Sequence, residues 1–364
     1  MKTQLGRVPC SCTTVVVALL LFITAVWLRS TRTPLQSGPP AIAFVGNSML
    51  YKNDCPRLVQ LLLEKMFASD ILMDSCLRGG ANLNSIWQDG NGMILQDADD
   101  QTSISTKSTN KNKNSTVESL IRSSAWNVLV LQDHEEFVTN QELRQVSRKA
   151  LREKYLPTLV LNNKKYKQQQ PTKVLFLQTF PYKSARLRES IGLGGFEEFT
   201  NALLDGTADY SNLTTEFAPT RITADVIPMA LAVETALLDY DSEDYIDDEG
   251  LPWTDLYQRD NVHPSPHATW LQACLIVCKA TGRAPPVWDL GLETEWRQRA
   301  RKWHSKPRDD DTARRYEAND LREHDVFSNM RLPTTRQAEI LRQLACRLIL
   351  APLSSDTKSG SKPG

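Results

Sequence analysis

Two kinds of apolar pattern run along the chain, and they predict different things. Residues 8–28 form one uncharged stretch of twenty-one residues, almost wholly apolar from 15 to 28, with Trp27 near its end. At about 1.5 Å per helical residue such a stretch reaches roughly 30 Å, the thickness of a bilayer core. Downstream, the apolar residues come in short runs at 41–45, 71–76, 127–131, 173–177 and 224–227. These runs largely lack polar alternation, as do strands of a parallel sheet buried on both faces. Between them the spacing turns helical. Leu58, Leu61, Leu62 and Met66 recur three and four residues apart within 55–67, and 141–155 keeps the same rhythm. Alternating strand and helix patterns predict a three-layer α/β/α domain around a central parallel sheet.

Past Gly282 the character changes. Residues 292–322 are dense in Arg, Glu, Asp and Trp, and Ile340, Leu341, Leu344, Leu348 and Ile349 fall at helical spacing within 337–350. This predicts a helical C-terminal extension over 287–353, followed by a disordered Ser/Lys/Gly-rich tail at 354–364. Residues 30–40 read as a linker, and 97–115 as a polar, solvated insertion. Residues 239–249 hold seven carboxylates without an EF-hand spacing, which predicts a solvated acidic loop and no calcium site. The expected organisation is therefore a tail and anchor at 1–29, the linker, a main domain at 41–286, the extension and the tail.

Composition narrows the function. Lys+Arg and Asp+Glu both number 43 in 364 residues, so the electrostatic footprint of nucleic-acid binding is missing. The apolar stretch runs into Trp27-Leu28-Arg29-Ser30 without a small-x-small cleavage site, which favours a signal anchor over a cleaved signal peptide. Sequons at Asn114 and Asn212 agree with a body in the secretory lumen or outside the cell. The expectation is a single-pass membrane glycoprotein whose partners are its substrate and, through the N-terminal helix, a membrane. In that setting Cys55, Cys76, Cys274, Cys278 and Cys346 have access to oxidation, and their odd number leaves at least one unpaired.

Two segments carry chemistry. The first apolar run leads directly into Gly46-Asn47-Ser48. The carboxyl end of a first parallel strand is where open α/β sheets bind ligands, and a serine there can aim its hydroxyl at a substrate or cap the next helix. The second is Asp260-Asn261-Val262-His263-Pro264-Ser265-Pro266-His267. Three-residue spacing lets Asp260 orient the imidazole of His263 within one loop, leaving Nε2 free to take a serine proton. Pro264 and Pro266 equally suit the start of a helix over 268–281. No further carboxylate or cysteine stands at a metal-ligand spacing, so no metal is expected.

Taken together, Gly46-Asn47-Ser48 and Asp260-x-x-His263 resemble the first and fifth blocks of SGNH (GDSL-type) hydrolases. The likeness extends to Asn53-Asp54-x-Pro56-Arg57-Leu58, Val130-Leu131-Gln132-Asp133, Gln178-Thr179 and His263-Pro264-Ser265-Pro266-x6-Ala273-Cys274, as in a bacterial-type subgroup of that family. The resemblance implies a flavodoxin-like three-layer fold over 41–286. It also implies Ser48 as nucleophile, His263 as general base and Asp260 as its orienter, with no cofactor or metal. An oxyanion hole would come from the N–H of Ser48, a glycine N–H from Arg78-Gly79-Gly80, with Gly80 preferred over Gly79, and a side chain of the third block. There the usual Gly-x-Asn-Asp is replaced by Gln132-Asp133-His134-Glu135, so Gln132 or His134 is the candidate donor. Asn47 also stands where Asp is common. The implied activity is ester hydrolysis through an acyl-enzyme, with O-acetyl groups on glycans as one substrate class. Glycan O-acyl transfer by the same residues and a non-catalytic binding module are the alternatives.

Overall fold

The computed structural model describes residues 38–90, 93–96, 116–238, 256–300, 302–305, 327 and 330–350. In chain order its elements are β1 (Ile42–Gly46), α1 (Ser48–Tyr51), α2 (Cys55–Phe67), β2 (Met73–Leu77), α3 (Leu83–Asp89), β3 (Met93–Gln96), α4 (Val117–Ser123), β4 (Val128–Leu131), α5 (Glu135–Thr139), α6 (Gln141–Ala150), α7 (Leu156–Lys165), β5 (Thr172–Leu177), α8 (Ala185–Ser190), α9 (Phe196–Phe217), β6 (Ile222–Ile227), α10 (Met229–Leu238), α11 (Pro266–Thr281), α12 (Leu290–Arg299), β7 (Lys302–Ser305) and α13 (Thr335–Leu350). A π-helical turn, Leu151–Tyr155, joins α6 to α7.

Five strands form one sheet in the order β2-β1-β4-β5-β6, every pair parallel. Alternate residues of each central strand serve different cores. Ile42 and Phe44 of β1 join Val128 and Val130 of β4 on one face, against α2, α10 and α11. Ala43 and Val45 join Leu129 and Leu131 on the other, against α3, α4, α7 and α9. Both faces are covered, so polar alternation has no place in these strands. The chain is a three-layer α/β fold. Its strand order reverses between β1 and β4, and at such a switch point the carboxyl ends of the strands open onto a crevice.

The described helices α12 and α13 share the first of these cores. Trp288, Trp296 and Leu341 pack in the same cluster as β1, and the Trp270 indole N–H of α11 donates to the Ala338 carbonyl of α13 at 2.8 Å. With α13 on it, α11 is buried along Pro266–Cys278. A separate two-stranded antiparallel ribbon pairs β3 with β7, an element without a counterpart in the sequence reading.

One expectation is corrected. Among the described residues no helix is long and apolar enough to cross a membrane, which counts against a single-pass membrane protein. The apolar stretch 8–28 lies outside the described residues, as do the sequon at Asn114, the insertion 97–115, the acidic loop 239–249 and the tail 354–364. Asn212 is exposed on α9. The five cysteines from Cys55 to Cys346 are all free.

Candidate active site

The site begins where β1 ends. Gly46 is required sterically, because a Cβ there would lie 2.8 Å from Gln132 Oε1 and 3.2 Å from a Leu50 methyl. Asn47 follows, only 1% exposed, and its side chain and N–H are all engaged. Its Oδ1 accepts the Met49 N–H at 3.0 Å, capping α1. Its Nδ2 donates to the Ala81 carbonyl at 3.0 Å, and its own N–H donates to Gln132 Oε1 at 2.8 Å. An amide can accept and donate at once, and a carboxylate cannot. That is the physical difference between Asn47 and the aspartate common at this place in the resembling family.

Ser48, half-buried, opens α1. Its hydroxyl lies 2.8 Å from His263 Nε2, and His263 Nδ1 lies 2.6 Å from Asp260 Oδ2. The other Asp260 oxygen accepts the backbone N–H groups of Val262 at 3.0 Å and His263 at 2.9 Å. The carboxylate therefore fixes both the loop and the ring, and it places the imidazole proton on Nδ1 with Nε2 facing the serine. Burial pushes the Asp260 carboxyl up. The His263 backbone N–H and imidazole and the Val262 N–H outweigh this and hold it below its ordinary value. The structure thus brings Ser48, His263 and Asp260 together from positions 215 residues apart.

The loop after β2 is tied to the same turn. Arg78 N–H donates to the Gly46 carbonyl at 3.0 Å, and Asn47 holds Ala81. Between these ties Gly80 takes a left-handed φ of 63°, with open space where a Cβ would project. Gly79 has no such room, since its Cβ would meet the Tyr51 hydroxyl at 2.9 Å. The backbone N–H groups of Ser48 and Gly80 have no hydrogen-bond partner among the described residues.

Gln132, the expected side-chain donor, is already partly engaged. The residue is 1% exposed, its Oε1 braces Asn47, and its Nε2 donates to the Asp133 carbonyl. Its Oε1 and one of its two Nε2 hydrogens thus brace the turn. His134 Nδ1 is buried with no partner among the described residues, and its Nε2 stands 3.7 Å from Glu135 Oε1, which accepts the Tyr182 hydroxyl. Asp133 is buried below them. It accepts the Tyr210 hydroxyl at 2.8 Å and the Leu83 and His134 N–H groups at 2.9 Å. Burial still pushes its carboxyl up, as it does the Tyr182 hydroxyl beside Glu135. His267 is a core residue whose Nε2 lies 3.2 Å from Gln337 Oε1. Among the described residues no cluster of His, Cys, Asp or Glu has metal-holding geometry.

No family model matches this chain, and no curated protein does. Among solved structures, the chain is similar to a DUF4886 family protein from Bacteroides uniformis ATCC 8492 at 14% identity. That match covers 72% of this chain and 91% of that one, with a TM-score of 0.43. It is also similar to the lipase Lip_vut3 from a goat rumen metagenome at 9% identity, covering 62% and 90%, with a TM-score of 0.33. Likenesses this loose leave the activity to be read from the side chains.

Proposed function

We propose that the protein is a serine ester hydrolase of the SGNH (GDSL) kind, working through an acyl-enzyme on Ser48. The observation that carries this reading is the unbroken hydrogen-bonded chain from Ser48 Oγ through the His263 ring to Asp260. A serine hydroxyl is a weak nucleophile near neutral pH until a base takes its proton. His263 Nε2 accepts that proton as Oγ attacks the ester carbonyl, and Asp260 stabilises the imidazolium that results. The unpartnered N–H groups of Ser48 and Gly80 receive the negative oxygen of the tetrahedral intermediate. His263 then returns the proton to the departing alcohol. Water, deprotonated by the same nitrogen, releases the acid and restores Ser48.

The test is labelling of the full-length chain with a fluorophosphonate, which reacts with activated serines, alongside hydrolysis of p-nitrophenyl acetate. Wild type is expected to label and to release acetate, and Ser48→Ala to do neither. General-base assistance contributes typically 10²–10⁴-fold, so His263→Ala should lose about that much. Labelling that persists in Ser48→Ala, or a folded wild type inert to both reagents, would sink the reading.

A further inference from the structure

Asn53 sits five residues beyond Ser48, in the short turn Lys52–Asp54 between α1 and α2. It is 3% exposed and has a left-handed backbone, with φ 53° and ψ 20°, and Asp54 follows at φ 52°. Two successive non-glycine residues in that region are unusual, although asparagine tolerates it better than most. The strained turn aims the Asn53 amide across the molecule. Its Nδ2 donates to the Pro264 carbonyl at 3.0 Å and to Thr269 Oγ1 at 2.9 Å, partners 211 and 216 residues away. An amide flip would set Oδ1 against the Pro264 carbonyl, which can only accept, so the orientation is fixed by that bond. The amide oxygen is left buried without a partner. Both donors are committed at the expense of the acceptor.

Pro264 directly follows His263. The loop around them is also tied to the segment after β5, where Lys183 N–H donates to the Asn261 carbonyl at 3.0 Å and the Tyr257 hydroxyl to the Pro181 carbonyl at 2.6 Å, and beyond that it is held to itself and to its own helix. Gln258 N–H donates to the His263 carbonyl at 2.8 Å, Gln258 Nε2 to the Pro264 carbonyl at 3.0 Å, and Thr269 Oγ1 to the Ser265 carbonyl at 2.9 Å. A second tie to the nucleophile turn lies further along α11, where Gln272 Nε2 reaches the Met49 carbonyl at 3.3 Å. The Asp260 side chain is 45% exposed and that of His263 is 23% exposed, so tight packing does not hold the pair in place.

We propose that Asn53 is a positioning residue, which clamps the loop bearing the base against the turn bearing the nucleophile and so sets the Ser48–His263 contact. This rests on the esterase reading above. A displacement of about 1 Å in such a pair can cost about 10²-fold in rate. Asn53→Gly removes both donors and leaves the left-handed backbone unstrained. It is expected to lower the fluorophosphonate labelling rate and the kcat for p-nitrophenyl acetate at least tenfold, with KM and the cooperative thermal transition retained. Thr269→Val removes one acceptor and is expected to lower kcat several-fold, and Thr269→Ser, which keeps the hydroxyl, to restore it. That pair decides the matter should Asn53→Gly fail to fold. Labelling and kcat at wild-type levels in folded Asn53→Gly would overturn the proposal. If wild type proves inert, the esterase reading fails, and the clamp is judged on the downfield NMR resonance of the His263 Nδ1 proton. Sharp in wild type and broadened in Asn53→Gly, it supports the clamp; equal in both, it refutes it.

Discussion

Asn47 offers the sharpest test of how the nucleophile turn is built. In Asn47→Asp the acceptor for Met49 N–H survives, but the donor to Ala81 is replaced by an oxygen 3.0 Å from a carbonyl oxygen at a site only 1% exposed. An ionised carboxylate there would face the Ala81 carbonyl oxygen in place of a donor, and leaving a buried charge uncompensated costs about 3–5 kcal/mol. The alternative is to bind a proton, whose O–H then takes over the bond to Ala81. Protonating an ordinary carboxyl at pH 7 costs about 4 kcal/mol, so that figure caps the penalty. The introduced group has its folded-state pKa raised above the unfolded value. Below the unfolded value both states hold the proton and the penalty vanishes. As pH rises it grows by about 1.4 kcal/mol per unit until the folded-state pKa is passed. Urea midpoints for wild type and variant between pH 4.5 and 8 should therefore diverge towards alkaline pH. A gap independent of pH, or none at pH 7, would refute the assignment of the Asn47 amide. The aspartate common in SGNH hydrolases is thus expected to harm this chain.

Other expectations follow from the same geometry. In Gly206→Ala the new Cβ would lie 2.2 Å from the Val138 carbonyl oxygen, so α9 and α5 must part; a loss of about 1–3 kcal/mol is expected, read as a thermal midpoint lowered by several degrees. An unchanged midpoint would contradict the close crossing. Gln132→Leu leaves the Asn47 N–H buried without its acceptor and should cost about 1–3 kcal/mol of stability in urea titration. A loss of labelling with stability intact would instead return Gln132 to the oxyanion hole. For Asp260, whose carboxyl is held below its ordinary pKa, the stabilisation is present above the ordinary carboxylate range and disappears as pH falls through the depressed value. The urea midpoints of wild type and Asp260→Asn should then differ modestly at neutral pH and converge in acid, the gap small because the group is well exposed.

The sheet was legible because its burial is two-sided. Runs such as 127–131 and 173–177 each carry four successive apolar residues after one polar residue, and they became β4 and β5 to within a residue. Helix α9 was not legible. Its buried face carries Thr200, Thr207 and Thr214, which break the apolar stripe and are tolerated because each hydroxyl donates to the carbonyl four residues before it. The Asp260–His263 pair was readable from local spacing, since three residues suffice for the carboxylate to reach the ring. The work of Gln132 and Asn53 was not, because each is defined by a partner 85 or 211 residues distant. An amide near a strand end looks the same in sequence whether it faces a ligand or braces a turn.

The wide separation of Ser48 and His263 shapes the life of the nascent chain. Ribosomes add about 5–20 residues per second, so the 215 residues between the two take roughly 10–40 s to synthesise. Throughout that interval the serine has been made and its base has not. Helix α11, which follows the base, then meets α13 only after a further stretch of translation. On the reading proposed above, reactivity at Ser48 therefore waits on the synthesis of its base.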